Sequence, residues 1–258
     1  MNQDARVALL VQARTGSTRL PGKVLKPVLG KPILQWMLER LKRTKSPDVL
    51  AVITTEEPAD DAIVQLCESI DISCYRGSSH DLLDRHYKAG LHFSADAVVK
   101  VPSDCPLIDP LLVDKAIRIF RFNEFDYVSN LHPPTWPDGQ DVEVVAMEAL
   151  RQAWEEAEKP FQREHCTPFI WDQPERFALC NIYYPTGEDL SRSIRLTLDY
   201  PEDLEFLSEV MGRLQDPLSA SVEEIVALVK QNPELAEINA IHRGKSWMDA
   251  HRHELKNL

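Results

Sequence analysis

The stretch "VALLVQARTGSTRLPGK", residues 7–23, joins an apolar run to a loop that carries three cations, Arg14, Arg19 and Lys23. The run has the length and the aliphatic composition of a buried strand. In open α/β sheets, ligands bind at the carboxyl ends of strands, and the loop after the first strand often meets phosphate groups. The cations, hydroxyls and glycines of this loop predict an anion-binding site. The alternative is an exposed turn whose basic side chains are only solvated.

Similar apolar runs recur between amphipathic segments, which predicts an α/β fold with a mostly parallel central sheet and helices on both faces. The predicted strands are "VALLVQ", "VLAVITT", "ISCYR", "AVVKV", "DYVSN", "DVEVV", "ALCNIYY" and "IRLTL". Apolar spacing predicts helices in "KPILQWMLERLKR" and over residues 58–70, 81–93, 110–122, 147–157 and 201–214. The strand pattern ends near Asp216, and Ser221 with Glu224 forms a capping-box pattern for a further helix. We therefore predict an α/β domain over residues 1–215 and a helical C-terminal extension over residues 216–258.

The composition limits the classes of ligand that the whole surface can attract. The net charge of −12 argues against a general nucleic-acid or anionic-membrane surface, so a polyanionic ligand must be held by a local group of cations. The five cysteines are odd in number and form no CxxC pair, which favours neither a disulfide framework nor a zinc site. The N-terminal apolar run is too short for a signal peptide, and no run reaches membrane-spanning length. We expect a cytoplasmic protein.

Two common phosphate-binding motifs do not match the loop after the first predicted strand. A Walker A motif has four residues between its glycines and a serine or threonine after its lysine. Here Gly16 and Gly22 enclose five residues, and Val24 follows Lys23. The GxGxxG fingerprint of dinucleotide-binding folds is also absent from the sequence. The sequence therefore disfavours a P-loop kinase or ATPase.

Six motifs follow one another along the chain: "QARTGSTRLPGKVL", "RGSSHDLLDRHY", "SDCPLIDP", "PDGQDVEVV", "REHCTPFI" and "LDYPEDLEFL". In these motifs and their order, the chain resembles the cytidylyltransferases that activate acidic sugars, the acylneuraminate cytidylyltransferase family. It is especially similar to the branch named for spore coat polysaccharide biosynthesis protein F. The resemblance implies a Rossmann-like nucleotide-diphospho-sugar transferase sandwich for the α/β domain. It also implies transfer of a nucleoside monophosphate from a triphosphate to an acceptor, with release of pyrophosphate and with Mg²⁺ as cofactor.

The resemblance implies which residues contact the nucleotide. The implied triphosphate contacts are Ala13, Arg14, Gly16, Ser17, Arg19 and Lys23, and the implied base and ribose contacts are Arg76, Ser78, Asp81 and Arg85. Guanidinium and ammonium groups neutralise phosphate charge, and Gly16 allows close approach of the backbone. Lys23, Arg19 and Asp104 are the implied catalytic residues. For Asp81 the alternative is structural, because it also suits the start of a helix.

Asp104 and Asp199 are the metal ligands that the resemblance implies, since two carboxylates that meet the phosphates suit Mg²⁺. Each has a structural alternative, because Asp104 lies in a turn-like sequence and Asp199 with Glu202 fits a capping box. Before the first of these aspartates the family usually carries Gly preceded by Thr or Gln, whereas this chain has Pro102 and Ser103. Because Pro lacks an N–H and Ser adds a side chain, this departure leaves another nucleoside triphosphate open as the substrate.

Arg163 and His165 are the implied acceptor-binding residues. Arg163 can bind a carboxylate through two hydrogen bonds, and His165 can donate or exchange a proton. The alternative is pairing on a helix surface with Glu158 and Glu164. Trp136 lies in a turn where relatives extend an arm towards a second subunit, so an exposed Trp136 would suit a homodimer interface. Its alternative role is to cover the core of its own chain.

Together these features predict a Mg²⁺-dependent cytidylyltransferase that transfers CMP from CTP to a small anionic acceptor, an acidic sugar for surface-polysaccharide or glycoprotein biosynthesis. The expected partners are CTP, the acidic substrate and a second copy of the chain, without nucleic acid or membrane. Two alternatives stay open. One is a nucleotidyltransferase of the same fold that uses another triphosphate or a phosphorylated acceptor. The other is a catalytically silent nucleotide-binding subunit, against which the charge-stabilising set of Lys23, Asp104 and Asp199 argues.

Overall fold

The computed structural model describes residues 3–245, residue 248 and residues 251–256. The first two residues of the N-terminal run, and positions 246, 247, 249, 250, 257 and 258 of the predicted extension, lie outside the described residues. Within the described part of the chain, no helix combines the length and the apolar character needed to cross a bilayer.

The predicted first strand is the third strand of a seven-stranded sheet. The strands of the described chain are β1 (Val7–Gln12), β2 (Pro27–Val28), β3 (Lys31–Pro32), β4 (Val49–Thr55), β5 (Ser73–Gly77), β6 (Ala97–Pro102), β7 (Tyr127–Ser129), β8 (Glu143–Ala146) and β9 (Leu179–Asn181). The sheet has the order β5-β4-β1-β6-β8-β7-β9, and β2 with β3 forms a separate antiparallel hairpin. The strands β5, β4, β1 and β6 are parallel, β8 is antiparallel to β6 and β7, and β9 is parallel to β7. The loop after β1 therefore emerges between two parallel neighbours.

Helices cover both faces of the sheet. They are α1 (Ile33–Leu41), α2 (Asp61–Ser69), α3 (Leu82–His92), α4 (Pro110–Phe122), α5 (Met147–Glu156), α6 (Pro160–His165), α7 (Pro168–Trp171), α8 (Pro201–Arg213), α9 (Val222–Gln231) and α10 (Pro233–Ile238). The helices predicted from apolar spacing agree with α1, α2, α3, α4, α5 and α8 to within three residues at each end. The short helices α6, α7 and α10 were not predicted individually, because six or fewer residues give too little periodicity to identify.

The side chains of β1 alternate between two hydrophobic cores. Val7, Leu9 and Val11 face the larger core, to which α1, α2, α4, α8, α9 and α10 contribute. Ala8 and Leu10 face the smaller core, to which α3, α5 and α7 contribute. All five side chains are fully buried, which explains why this strand is continuously apolar rather than alternating. The predicted α/β fold, with a mostly parallel sheet between two layers of helices, is confirmed.

The segment "IRLTL", residues 194–198, is not a strand, contrary to the prediction. Within it only Arg195 forms a β-bridge, with Asp138. The N–H of Leu198 donates instead to the carbonyl of Asp104 at 2.8 Å. The segment also passes so close to Gly139, whose φ is +97°, that a Cβ there would lie 2.5 Å from a backbone nitrogen of the segment. Its backbone therefore bonds to loops at the sheet edge, while its alternating apolar side chains still fill the larger core.

The predicted C-terminal extension contains α9 and α10 and contributes to the larger core. The hydroxyl of Ser221 accepts from the N–H of Glu224, whose carboxylate accepts from the N–H of Ser221, so the predicted capping box is confirmed. The side chains of α9 that join the larger core are Val222, Ile225, Val226 and Val229. Arg40 of α1 is fully buried and donates to the carbonyl oxygens of Ile108 and Ala220, at 3.1 and 2.9 Å. A domain boundary at residue 215 stays a prediction.

Trp136 is buried, so it does not provide the exposed aromatic surface that the interface hypothesis requires. Its indole N–H donates to the carbonyl of Ile182 at 2.8 Å, and its ring meets the Tyr184 ring edge-on at 5.1 Å. The alternative, in which Trp136 covers the core of its own chain, is the correct one. The homodimer itself stays a prediction.

Candidate active site

The loop after β1 is fixed by Asp60, a residue that the sequence did not single out. One carboxylate oxygen of Asp60 accepts from both the N–H and the hydroxyl of Thr15, each at 2.7 Å. The other accepts from the hydroxyl of Thr54 at 3.1 Å. Burial alone would raise the pKa of Asp60, but the hydrogen bonds, with Thr15 first, lower it overall. Gly22 then adopts the left-handed conformation, with φ of +63°, and leads into a 3₁₀ turn that starts at Lys23.

Lys23 joins Asp104 and Asp199 at the carboxyl edge of the sheet. Its ammonium donates to Asp199 Oδ1 at 2.9 Å, to Asp104 Oδ2 at 3.4 Å and to the carbonyl of Leu198 at 2.8 Å. Burial would lower the pKa of Lys23, but the two carboxylates raise it overall. Burial would raise the pKa of Asp199, but Lys23 and then Arg19 lower it overall. The arrangement therefore holds Lys23 and Asp199 in their charged forms.

Asp199 is not a helix cap. Tyr200 is the N-cap residue of α8, and Asp203 accepts from the N–H groups of Asp199 and Tyr200 at 2.9 and 3.0 Å. The capping box of Asp199 with Glu202 is therefore wrong, because Asp203 supplies the carboxylate that caps this helix. The carboxylate of Asp199 points instead to Lys23.

Two guanidinium groups flank Asp199 in different ways. Arg19 donates to Asp199 Oδ1 at 2.7 Å and remains 52% exposed. Arg195 is buried and pairs with Asp203 at 2.9 Å and with Asp138 at 2.8 Å, while its distance to Asp199 Oδ2 is 3.5 Å. Burial would lower the pKa of Arg195, but these carboxylates raise it overall. Arg195 is therefore a fixed part of the site wall, whereas Arg19 is accessible to a ligand.

Asp138 and Asp141, which were not predicted as site residues, add two carboxyl groups to the same region. Burial raises the pKa of Asp138 to about 6. Attraction by Arg195 opposes this shift, and repulsion from Asp104 and Asp199 adds to it. Burial, with repulsion from Asp138 and then Asp104, raises the pKa of Asp141 to about 8. Asp141 therefore retains its proton at neutral pH in the absence of ligands. The motif "PDGQDVEVV" was the signal that could have identified both residues.

The chemistry of Asp104 and Asp199 fits a Mg²⁺ ion. Their carboxylates converge on the single ammonium of Lys23, so both can face one cation. Within the described residues, no three or more His, Cys, Asp or Glu side chains are grouped to hold a metal. Mg²⁺ usually takes one or two protein carboxylates and completes its shell with phosphate oxygens and water. Asp104 and Asp199 therefore match the number of protein carboxylates that Mg²⁺ usually binds. The Mg²⁺ requirement stays a prediction.

Arg76 belongs to β5, and Ser78 and Asp81 lie between β5 and α3. Arg76 donates to the carbonyl of Thr55 at 2.9 Å and to Asp61 at 2.6 Å, which ties β5 to the end of β4 and to the start of α2. The hydroxyl of Ser78 accepts from the N–H of Asp81 at 3.1 Å. A cleft of ≈ 440 Å³ opens beside this segment and is lined in part by Ser78 and its neighbours. Of the four predicted base and ribose contacts, Ser78 lines this cleft, and Arg76, Asp81 and Arg85 do not.

Arg85 and Arg14 come together although they belong to different predicted motifs. Arg85 is buried and donates through Nε to the carbonyl of Ser78 at 2.8 Å. Burial, followed by repulsion from Arg14, lowers the pKa of Arg85 to about 10. Two guanidinium groups that repel each other make binding of an anion close to both more favourable. The fold thus brings Arg14 of the loop after β1 within electrostatic range of Arg85 in α3, and anion binding by the two stays a prediction.

Arg163 contacts Asp81 rather than the neighbouring glutamates. Its Nε donates to Asp81 Oδ2 at 2.6 Å, and its Nη1 donates to the carbonyls of Trp154 and Ala157 at 3.0 and 3.2 Å. Asp81 Oδ1 accepts from the N–H of Asp84 at 2.9 Å and so caps α3, as its structural alternative proposed. An acceptor carboxylate would have to compete with these three acceptors for Arg163. The acceptor-binding role of Arg163 stays a prediction.

His165 is an uncharged side chain at neutral pH. Burial, followed by repulsion from Lys100, lowers its pKa to about 4. Its ring lies 6.3 Å from that of His251, which stacks on Phe161 at 5.0 Å between centroids. The imidazole can therefore accept a hydrogen bond, but it is a weak base and does not supply a positive charge for an anionic acceptor.

Cations on a loop after an inner parallel strand, facing paired carboxylates, are the arrangement expected of a nucleotide-binding site in an α/β protein. The sequence profile of the cytidylyltransferase family matches residues 8–237, and the chain belongs to this family. The implied Rossmann-like nucleotidyltransferase fold is confirmed by solved structures. A cytidylyltransferase from Leptospira borgpetersenii superposes with a TM-score of 0.86 at 31% identity, covering 94% of this chain and 98% of that one.

Characterised and uncharacterised relatives match over different shares of the chain. An uncharacterized protein of Methanocaldococcus jannaschii is 38% identical over 93% of this chain and 97% of its own. Spore coat polysaccharide biosynthesis protein SpsF of Bacillus subtilis is 28% identical over 89% of this chain and 96% of its own. The 8-amino-3,8-dideoxy-manno-octulosonate cytidylyltransferase of Shewanella amazonensis is 33% identical, over 45% of this chain and 47% of its own. The predicted relationship to SpsF and to acidic-sugar cytidylyltransferases is confirmed.

Proposed function

We propose that this cytidylyltransferase transfers CMP from CTP to a small acidic sugar and releases pyrophosphate. The observation that carries the proposal is the contact of Lys23 with both Asp104 and Asp199 at the carboxyl edge of the sheet. This contact places one cation and two anions beside a loop suited to phosphate groups. The names of the Bacillus and Shewanella relatives, which refer to polysaccharide biosynthesis and to octulosonate, support a sugar of this class.

The triphosphate side of the reaction is assigned to the loop after β1. Arg19 is half exposed, whereas Lys23 is mostly buried at the base of the site. We expect Arg19 to contact the phosphates at the surface and Lys23 to contact them deeper in the site. Arg14 with Arg85 adds positive charge on the side of α3. Preorganised cations of this kind stabilise the negative charge that develops on the leaving pyrophosphate. Asp104 and Asp199 would hold Mg²⁺, which when bound polarises the α-phosphate and shields the charge of pyrophosphate.

The proposed transfer needs no covalent enzyme intermediate. A hydroxyl oxygen of the acceptor forms a bond to the α-phosphorus of CTP, and the bond from that phosphorus to the oxygen bridging to the β-phosphate breaks. The electron pair of the broken bond leaves with pyrophosphate, and the hydroxyl proton passes to a base. The proton passes finally to solvent, and His165, which is uncharged at neutral pH, is proposed to orient the attacking hydroxyl by accepting a hydrogen bond from it. Arg163 is the proposed acceptor ligand, provided that an acceptor carboxylate displaces one of its present partners.

The test is pyrophosphate release across four nucleoside triphosphates and a panel of sugars with and without a carboxylate. We expect release with CTP and a carboxylated sugar together, and little with either substrate alone. Release with another triphosphate would support the alternative left open by Pro102 and Ser103. Binding of CTP without release under any combination would favour the silent regulatory subunit. Variation of Mg²⁺ in the same assay tests the metal requirement.

A further inference from the structure

The ring of Tyr200, the residue after Asp199, connects two cations from distant parts of the chain. His242 stacks on this ring with 3.7 Å between centroids and an interplanar angle of 5°. The guanidinium carbon of Arg19 lies 5.2 Å from the ring centroid, and the ammonium of Lys245 lies 5.1 Å from it. Both distances are in the range of cation–π contacts. A cation of the loop after β1 and a cation of the C-terminal region therefore border the same ring.

Lys245 is positioned by His242. Its ammonium donates to His242 Nδ1 at 3.0 Å, which assigns the ring proton to Nε2. His242 Nε2 in turn lies 3.1 Å from a carboxylate oxygen of Glu202. His242 is buried, whereas Lys245 is exposed. His242 thus holds the ammonium of a residue that is exposed to solvent.

Lys245 differs from the other cations near Asp199 in its partners. Arg19 pairs with Asp199, and the buried Arg195 pairs with Asp203. Among the residues that the structure describes, no carboxylate forms an ion pair with Lys245. An anion that approaches beside Arg19 would therefore meet an ammonium whose charge no described carboxylate offsets. Such a charge contributes more to anion binding than one already paired within the protein.

We propose that Lys245 binds the terminal phosphates of the nucleoside triphosphate, and then the pyrophosphate product, together with Arg19. This inference rests on the proposed function, because that function brings a triphosphate to the loop after β1. Polyphosphate is favoured over the acceptor because Lys245 shares the Tyr200 ring with Arg19, whereas the proposed acceptor ligand Arg163 is bound to α3 through Asp81. Lys245 also lies beyond residues 8–237, the part of the chain that the family profile matches.

The test measures binding of pyrophosphate and of CTP by calorimetry without acceptor, so it does not depend on turnover. Lys245→Met keeps the apolar stem but removes the charge, and Lys245→Arg keeps the charge. We expect Lys245→Met to weaken both ligands by about five- to tenfold at low salt, with less loss at high salt. Lys245→Arg should bind close to the wild-type level. Lys230→Met is the matched control, because Lys230 lies in the same C-terminal region but pairs with Glu188.

Two results would overturn the proposal. One is unchanged binding of pyrophosphate and CTP by Lys245→Met, which would leave Lys245 with a packing role against Tyr200. The other is an increase confined to the acceptor's KM in turnover, which would place the ammonium on the acceptor side. Failure of the proposed function gives a different pattern, since the wild-type protein would bind these ligands without releasing pyrophosphate from any triphosphate. Thermal unfolding of each variant confirms that the binding data come from folded protein.

Discussion

The ammonium of Lys23 lies 2.9 Å from Asp199 Oδ1, and the two residues are 176 positions apart in the chain. This contact joins the loop after β1 to the segment that precedes α8, so both parts of the proposed site are fixed together. It also gives Asp199 a cationic partner before any nucleotide arrives. A triphosphate bound as we propose would share Lys23 with Asp199, which would couple nucleotide binding to the position of a proposed metal ligand.

Lys23→Met should lower kcat by ~10²-fold or more while weakening CTP binding less, because the cation is needed most as charge builds on pyrophosphate. Single-turnover rates and calorimetric binding of CTP separate the two effects. Lys42→Met is a matched control, because Lys42 is the C-cap residue of α1 and donates to the carbonyl of Ile70. Wild-type turnover in Lys23→Met would remove Lys23 from the catalytic residues.

Asp104→Asn and Asp199→Asn should each fold but lose Mg²⁺-dependent turnover, since Asn keeps the size and removes the anionic ligand. Asp203→Asn is the comparison for structural damage, because Asp203 caps α8 and pairs with Arg195. It should lower the melting temperature without shifting the Mg²⁺ concentration needed for half-maximal rate. If Asp104→Asn and Asp199→Asn keep the wild-type Mg²⁺ dependence, the metal assignment is wrong.

Asp141→Asn should flatten the dependence of stability on pH. In the folded protein the pKa of Asp141 is raised from 3.8 to about 8, so between these values the folded state keeps a proton that the unfolded state releases. The free energy of unfolding contributed by this group therefore falls as pH rises through that window and is fully lost above it. Melting temperatures measured from pH 5 to pH 9 without Mg²⁺ or nucleotide test this expectation. Parallel curves for the two proteins would show that Asp141 titrates normally.

Arg163→Lys distinguishes two roles for Arg163, which are to hold Asp81 at the start of α3 and to bind the acceptor. Lysine keeps the charge but loses the fork that reaches Asp81 and two backbone carbonyls together. We expect the KM for CTP and the KM for the acceptor both to rise, because Asp81 caps the helix that carries Arg85. Asp81→Asn should reproduce the effect on CTP. A rise in the acceptor's KM alone, with unchanged CTP affinity, would assign Arg163 to acceptor binding only.

Arg40→Met should destabilise the whole protein by about 2–4 kcal/mol, because it leaves several buried carbonyl groups without a donor. Burial lowers the pKa of Arg40 to about 10, so the side chain is still charged at neutral pH. Its bonds to Ile108 and Ala220 join the predicted domain to the predicted extension. Denaturant unfolding followed by two probes should give one shifted transition. A separate early transition would instead show that residues 216–258 unfold independently.

The sequence predicted the parts of the fold whose periodicity is strong. The continuous apolar run of β1 and the helical spacing of α4 are patterns that burial imposes directly on residue type. The error at residues 194–198 has a physical cause. Alternation of apolar residues reports which side chains are buried, but not whether the backbone pairs with a strand or, as here, with the loops at Asp104 and Asp138.

Some residues of the site were predicted from the sequence and others were not, for a related reason. Lys23, Asp104 and Asp199 were identified through motifs, and the structure brings them within hydrogen-bonding distance of one another through Lys23. Asp60 and Arg195 were not identified, because their importance comes from partners far along the chain or from burial. Neither property is visible in a short stretch of residues. Likewise, the pairing of Arg163 with Asp81 spans 82 positions and could not be read from either motif.

The most direct measurement of the central claim follows two labelled forms of CTP, one radiolabelled at the α-phosphate and the other at the γ-phosphate. Each is incubated with a carboxylated sugar and Mg²⁺, and the products are separated by chromatography. A cytidylyltransferase that uses the proposed site transfers the α-label to the sugar and releases the γ-label as pyrophosphate. Both signals should disappear in Lys23→Met. Transfer of the γ-label to the sugar, or retention of both labels in CTP that the protein demonstrably binds, would contradict the proposed reaction.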